Sequence, residues 1–376
     1  MMDLNEIRQD IDVIDDEIVR LFEKRMKLSS EVADFKIKTG KPVFDQEREI
    51  SKLAALKAKA QSEFTAAGVQ ELFQQIMSMS RKLQYRLLTE HGIEEAIDYE
   101  FVEELPIAGK KVVYQGVEGA YTYEAMHRFF GENVQNEHVH TWREVMESIA
   151  RGDAQYAILP IENSTAGIVT DVYDLLGEFD LYIVGEQVIK CEHALLGVRG
   201  ASLSDIEDVY SHPQALSQCK KYLETHPQWT QHEYENTASA ARKIARDHRR
   251  TQAAIASEAA AKIFDLDVLQ KGIYYNEDNY TRFIIVSKKQ RYVSTANKIS
   301  ICFEIPHESG TLYNMLSHFI YNGLNMSKIE SRPIPGKSWE YRFFVDFTGN
   351  LRDSSVKNAL RGIRQEAKYV RVFGNY

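Results

Sequence analysis

The chain has 376 residues, 44% of them hydrophobic and 27% charged, with only 8 prolines, which fits a globular protein of two or three domains rather than a disordered or fibrous one. A formal charge of −9 argues against a nucleic-acid partner but not against anionic small substrates, because a local arginine cluster can outweigh the global field. No apolar run approaches the roughly 20 residues of a membrane span, and the start MMDLNEIRQDID is acidic and polar, unlike a secretory signal. Cys191, Cys219 and Cys302 are far apart and have no metal-ligand spacing. They read as small buried apolar residues of a cytoplasmic protein.

Residues 3 to about 90 contain one proline and two glycines, Gly40 and Gly68. Ile7, Ile11, Ile14, Ile18, Leu21, Phe22, Leu28, Val32 and Phe35 form a helical apolar stripe. It predicts a first helix that runs to the break Thr39-Gly40-Lys41-Pro42. Asp45 is expected to cap a second helix, and Thr65 to start a third that ends near Leu88. A helix of about 33 residues is roughly 50 Å long. Three helices of such unequal length do not close a compact monomeric core, so an intertwined dimer is expected for the domain 1–92.

Residues 93–109 are acidic, include Pro106 and Gly109, and read as a linker. From Lys110 the pattern changes to short apolar strands, KVVYQG, AQYAILPI, LYIVGEQVI, HALLGV, EDVYSH, QAAIAS and TRFIIVSKK, with helices between them. That is an α/β domain over 110–290. The tail 298–376 reads strand (298–305), helix (310–321), strand (325–331), strand (340–347), helix (353–365), strand (368–373). This is a ferredoxin-like βαββαβ module.

Several polar residues of the helical segment sit at suggestive spacings. Arg25 and Lys36 are 11 apart and share a face, while Arg8 and Arg25, 17 apart, are separated by about 100° and roughly 26 Å. Asp45, Arg48 and Glu49 fall on one face of the second helix, and Ser80 and Gln84 on one face of the third. On spacing alone these read as solvated salt bridges. The pieces LNEIRQDID, LFEKRMKL, EVADFK, KPVFDQERE and LFQQIMSMSRKLQ, however, resemble the helical chorismate mutases in register. The resemblance implies that Arg8, Arg25, Lys36, Asp45, Arg48, Glu49, Ser80 and Gln84 bind chorismate. Lys36 and Gln84 would donate to the breaking ether oxygen, the arginines would clamp the carboxylates, and Asp45 and Glu49 would orient the ring hydroxyl. A dimer partner would supply Arg8.

In the α/β segment, strand ends run into polar loops at Ile161–Gly167, Ser211–Gln214, Asn236–Ser239, Ser257 and Asn279–Phe283. Each alone reads as a helix cap; several around one cleft suggest a dianion site. GVEGAYTYEA, PIENSTAGIV, VYDLL, YSHPQALSQC and NYTRF resemble prephenate dehydratases. This implies a bilobal fold like that of periplasmic binding proteins, with substrate in the cleft and Thr281 as the essential threonine. Asn163, Ser211 and Gln218 fall at matching polar positions. The first loop departs from the family, reading Gly116-Val117-Glu118-Gly119 where a proline often stands. Arg282 is the carboxylate anchor by charge, although alternation puts it on the strand face opposite Thr281. Glu162 and His212 are nearby candidates to complete proton transfer, or are structural. No cofactor motif and no metal-ligand cluster is present.

The tail resembles the ACT-type amino-acid-sensing domains of prephenate dehydratases through Glu308-Ser309-Gly310-Thr311-Leu312 and Glu330-Ser331-Arg332-Pro333. The family usually has alanine where Thr311 stands. The resemblance implies phenylalanine bound between paired modules by Gly310, Thr311, Leu312 and Glu330 to Pro333. The expected protein is thus a dimeric or larger bifunctional enzyme with chorismate and prephenate as substrates and phenylalanine as inhibitor. The alternatives at this stage are a sensor that has lost its chemistry and a dehydratase acting on arogenate.

Overall fold

The computed structural model describes residues 3–93 and 98–376. Residues 94–97, inside the expected linker, and the first two residues of the expected domain 1–92 lie outside the described residues. The chain forms two compact units, Met1–Asp98 with Ala296–Val372, and Tyr99–Thr295 with Phe373–Tyr376.

The first unit opens with three helices, α1 (Leu4–Thr39), α2 (Gln46–Lys57) and α3 (Glu63–Glu90). Gly40 ends α1 at a φ of +69°, and Asp45 caps α2 by accepting the Arg48 N–H at 3.1 Å. The third helix starts two residues before the expected Thr65. Ser62 is its cap, and its hydroxyl accepts the Thr65 N–H at 3.1 Å while Thr65 Oγ1 accepts the Ser62 N–H. This reciprocal box satisfies two N-terminal groups that a cap at Thr65 would leave open. Only Ser29 and Ala33 of α1 are buried, and the apolar stripe from Ile7 to Phe35 stands largely exposed, Ile14 at 57%.

The second unit begins with β1 (Glu100–Phe101). A first lobe follows, of β2 (Lys111–Gln115), α4 (Tyr121–Phe130), β3 (Gln135–Val139), α5 (Trp142–Arg151), β4 (Tyr156–Asn163), β5 (Gly167–Ile168), α6 (Thr170–Glu178) and β6 (Tyr182–Lys190). The chain then crosses to a second lobe of β7 (Ala194–Val198), β8 (Asp208–Ser211), α7 (Pro213–Gln218), α8 (Lys220–Leu223), β9 (Thr230–Glu233), α9 (Thr237–Asp247), β10 (Gln252–Ala256), α10 (Glu258–Ile263) and β11 (Leu266–Gln270). It returns through β12 (Tyr280–Ser287) and β13 (Arg291–Tyr292), and β13 pairs with β1. The two sheets have the orders β6-β12-β4-β2-β3 and β11-β7-β10-β8-β9. β10 is buried on both faces, Ala254 and Ala256 in one cluster and Ala253 and Ile255 in the other, as a sheet covered by helices on both sides requires. β3, β9 and β11, strands that the sequence pattern did not single out, are all sheet edges.

The remainder of the first unit is β14 (Lys298–Glu304), α11 (Thr311–Tyr321), β15 (Met326–Pro333), β16 (Tyr341–Thr348), α12 (Ser354–Glu366) and β17 (Tyr369–Asn375), in the strand order β15-β16-β14-β17. The elements match the expected βαββαβ sequence. The faces of α11 and α12 pack on α3. No described helix is long and apolar enough to cross a membrane.

Candidate active sites

In the helical bundle one chain brings together seven of the eight residues expected to hold chorismate. Arg25 donates to the Ser80 hydroxyl and, at 3.3 Å, to the Ile76 carbonyl. Gln84 Nε2 donates to Ser80 O at 3.2 Å, while its Oε1 is buried with no hydrogen-bond partner among the described residues. Lys36 donates to the Val43 carbonyl at 2.8 Å, which tucks the loop before α2 against α1. Burial lowers the Lys36 pKa; Asp45 opposes this, Arg48 adds to it, and Glu49 again opposes it. Burial also lowers the Arg25 pKa against the attraction of Glu49. The cluster thus concentrates cations at a half-buried place, as an anion site does. Arg8 does not join it. It is exposed on the first turns of α1, far along the axis from Arg25.

The second unit holds a cavity of about 210 Å³. Its wall is built where the chain passes between the two lobes, at Cys191 and His193 after β6 and at Asn279 and Thr281 around the start of β12. Three helices begin at it: α4 contributes Ala120 to Thr122, α7 contributes His212, Gln214 and Ala215, and α9 contributes Asn236 and Thr237. The dipoles of these helix starts favour negative charge, although His212 and Asn236 already cap the Gln214 and Ser239 N–H groups. Pro213 at the first position of α7 suits that start. Among the described residues, none that lines the cavity is Asp, Glu, Lys or Arg.

Thr281 stands opposite Asn163 in the β12–β4 ladder. Asn163 Nδ2 donates to Thr281 Oγ1 at 2.9 Å and to Asn279 Oδ1 at 2.8 Å. Asn163 Oδ1 accepts from the Thr165 hydroxyl and the Thr165 and Ala166 N–H groups at 2.7–3.0 Å, which fixes the amide's orientation. Because Thr281 Oγ1 accepts from Asn163, its own proton turns to Cys191 Sγ, 3.1 Å away, or to the cavity. Burial pushes the Cys191 thiol up to about 11, so it stays a neutral thiol. Gln218 closes the network: Nε2 donates to Thr165 Oγ1 at 2.8 Å, and Oε1 accepts from His193 Nε2 at 2.8 Å and Asn279 Nδ2 at 3.1 Å. His193 Nδ1 lies 3.0 Å from the Tyr121 hydroxyl. Burial lowers the His193 pKa despite the bond to Gln218, so the ring is neutral. Burial also lowers that of His212, whose Nδ1 accepts the Gln214 N–H at 3.2 Å and whose proton therefore sits on Nε2.

Asn163, Gln218, Thr281 and His212 thus reach the cavity, while three other sequence candidates lie off it. Ser211 is fully buried, and its hydroxyl donates to the Ile255 carbonyl at 2.7 Å, bracing β8 against β10. Arg282 points to the other face of β12, where Nε binds Glu162 at 2.6 Å and Nη1 binds Glu186 at 3.3 Å. It is a structural ion cluster, and it also engages Glu162. Sequence reasoning gave Tyr121 and His193 no role, read Cys191 as a small buried apolar residue, and placed Asn279 only within a polar loop. Gly119 has a φ of +82°, and a Cβ there would meet Ala260 Cα at 3.2 Å, so the first loop keeps its turn without the proline.

In the C-terminal module Gly310 caps α11 at a φ of +82°. Gly310, Thr311 and Leu312 line a cavity of about 290 Å³ with Pro306, Trp339 and Phe343. The Thr311 hydroxyl is folded onto its own loop, 2.9 Å from the Pro306 and Glu308 carbonyls. Glu330, Ser331, Arg332 and Pro333 lie on the edge strand β15 and do not line this cavity.

Comparison with known proteins places two families along the chain. Residues 7–85 match the family model for chorismate mutase type II, and residues 112–291 that for prephenate dehydratase. A bifunctional chorismate mutase/prephenate dehydratase from Aquifex aeolicus is 32% identical over 378 residues, spanning 100% of this chain and 98% of the relative. A solved prephenate dehydratase from Arthrobacter aurescens in complex with L-Phe superposes with a TM-score of 0.66 at 30% identity, over 71% of this chain and 89% of that one. A quorum-quenching acylase, GqqA, gives a TM-score of 0.65 at 28% identity, over 70% and 97%, so the fold by itself does not choose the chemistry. The two family matches in series and the relative alike from end to end do choose it: the chain belongs to the family of bifunctional chorismate mutase/prephenate dehydratases.

Proposed function

We propose that the bundle and the α/β cavity are the two active sites and that the C-terminal module senses phenylalanine. Chorismate rearrangement needs no nucleophile; it is accelerated by holding the reactive conformer and by stabilising charge on the breaking ether oxygen. Lys36 and Gln84 are the donors to that oxygen. Arg25, Arg48 and a partner chain's copy of Arg8 clamp the carboxylates, Ser80 holds Arg25, and Asp45 and Glu49 orient the ring hydroxyl. The exposed apolar stripe on α1 and the outlying Arg8 support an intertwined homodimer. The three free, buried cysteines are compatible with a cytoplasmic enzyme.

Prephenate dehydration breaks the bond to the ring carboxylate, which leaves as carbon dioxide, moves that electron pair into the ring and expels the ring hydroxyl, which leaves with a proton as water. The observation that carries the assignment is Thr281 Oγ1: it lines the cavity and accepts from an orientation-fixed Asn163, so its proton can turn from Cys191 Sγ into the cavity to meet the departing oxygen. Helix N-termini and neutral donors hold the carboxylates in place of Arg282. His212, which lines the cavity with its proton on Nε2, is the group assigned to complete proton transfer. The test is spectroscopic: chorismate disappearance followed by phenylpyruvate formation in the ultraviolet with purified protein. Thr281→Ala should stop the second step and leave the first; a Thr281→Ala enzyme that dehydrates prephenate normally removes the assignment.

The ACT-type resemblance and the L-Phe complex of a related dehydratase support feedback inhibition. Gly310 to Leu312 of one module and Glu330 to Pro333 of a paired module then enclose the amino acid. An inhibitor acts by binding the low-activity state more tightly. Titration calorimetry of the full chain should show phenylalanine binding that weakens in Gly310→Ala, where alanine strains the positive φ. No heat at millimolar phenylalanine would sink the sensor reading.

A further inference from the structure

Helix α3 has two working faces. Ser80 and Gln84 look toward Arg25 and the chorismate cluster, while Arg81, Lys82 and Tyr85 look toward the C-terminal module and are buried. Lys82 Nζ donates to Ser317 Oγ of α11 at 2.6 Å, and the Tyr85 hydroxyl donates to Gln365 Oε1 of α12 at 3.0 Å. Arg81 serves both sides. Its Nη1 donates to the Glu49 carboxylate of α2, and its Nε donates to Glu366 of α12 at 2.8 Å. The Phe44 ring lies 5.0 Å from the guanidinium carbon. Glu366 is in turn 3.2 Å from His318 Nε2 of α11.

We infer that Arg81 is a positioning residue of the mutase, through which Glu366 of the C-terminal module sets the Glu49 carboxylate at the chorismate site. This rests on the reading that Glu49 contacts chorismate. One carboxylate suffices to neutralise a buried arginine; here two are used, one from each side, on different N–H groups of a single rigid plane. Because the guanidinium cannot bend, a displacement of Glu366 re-aims Nη1, and Glu49 follows. Burial would lower the Arg81 pKa, but the two carboxylates raise it, and Glu366 is held down to about 2 by His318 and Arg81 against the effect of burial. Arg81 and Glu366 therefore both stay charged, and the link between them persists at neutral pH. A shift of α12 within the module is then felt at the chorismate site without any contact between effector and substrate.

The test is a double-mutant cycle on mutase kcat/KM in the full chain, with Glu366→Gln, Glu49→Gln and the pair, and a thermal melt of each variant. Glu366→Gln should lower mutase kcat/KM about tenfold in the wild-type background and less than about twofold once Glu49 is Gln, the non-additivity expected of groups in one network. Dehydratase activity should be unchanged in Glu366→Gln. Additive losses, with Glu49→Gln itself impaired, overturn the inference and leave the active-site reading standing. A Glu49→Gln enzyme with normal mutase activity takes Glu49 out of the site and overturns both. If Glu366→Gln melts out, Glu366→Asp replaces it in the same cycle: it keeps the charge, withdraws the carboxylate by one methylene, and must show the same non-additivity.

Discussion

A threonine is a weak acid, and in the proposed mechanism the value of Thr281 lies in where its proton points. Asn163 occupies one side of the hydroxyl and is itself pinned by Thr165 and Ala166. Asn163→Ala should therefore lower dehydratase kcat by roughly 10²-fold, within the range for loss of a preorganised donor, with little change in mutase rate; steady-state kinetics of both reactions check this. In the bundle, Lys36→Ala or Gln84→Ala should cost the mutase about 2–4 kcal/mol of barrier and spare the dehydratase. His193 offers a pH test. Its folded pKa is lowered by burial, so below about pH 6.5 the unfolded chain binds the extra proton and stability falls as pH falls. The melting temperature of the second unit should drop from pH 7.5 to 5.5, and His193→Gln should flatten that slope. Among single residues, charge was a poor guide: Arg282, the obvious anchor, is spent on Glu162 and Glu186, which its alternation with Thr281 had foreshadowed. Ser211 sits in a cavity-side motif, yet its hydroxyl faces Ile255. Cys191, His193 and Asn279 work together only because two chain crossings meet, and no periodicity carries that information.

At the scale of elements, the long first helix was legible because one apolar stripe repeats from Ile7 to Phe35 and stops before Gly40. The edges were not. β3 and β9 are largely exposed along their length and pair on one side only, so they need no apolar run and leave none in the sequence. The reciprocal box at Ser62 and Thr65 shows the same limit at a helix start, where either residue could serve as cap. α1 also carries the sharpest test of assembly. Arg8 and Arg25 are about 26 Å apart on one rigid rod, so a single helix cannot bring both to one chorismate. Mixing inactive Arg8→Ala and Arg25→Ala chains should regenerate sites that contain both arginines. No recovery of mutase activity after subunit exchange would exclude the shared site.

For the whole molecule, the order of modules along the chain is not the order of packing. The C-terminal module belongs to the same compact unit as the mutase helices, while the last four residues belong with the dehydratase. Deleting 298–376 would uncover Arg81, Lys82 and Tyr85 and leave Arg81 one carboxylate short; we expect lost mutase activity and a lower melting temperature, read by calorimetry. On the proposed site assignments, the two reactions meet their substrates through opposite electrostatic means. The proposed mutase site gathers cationic side chains, Arg25, Lys36 and Arg48, whereas the described lining of the proposed dehydratase cavity has no Asp, Glu, Lys or Arg. Dissolved ions screen the first kind of attraction over a Debye length of about 8 Å at physiological salt and scarcely touch short, oriented hydrogen bonds. Raising potassium chloride from ~20 to ~500 mM should therefore raise KM for chorismate severalfold and leave KM for prephenate almost level, so that in brine the same polypeptide becomes a poor rearranger of dilute chorismate while still dehydrating prephenate.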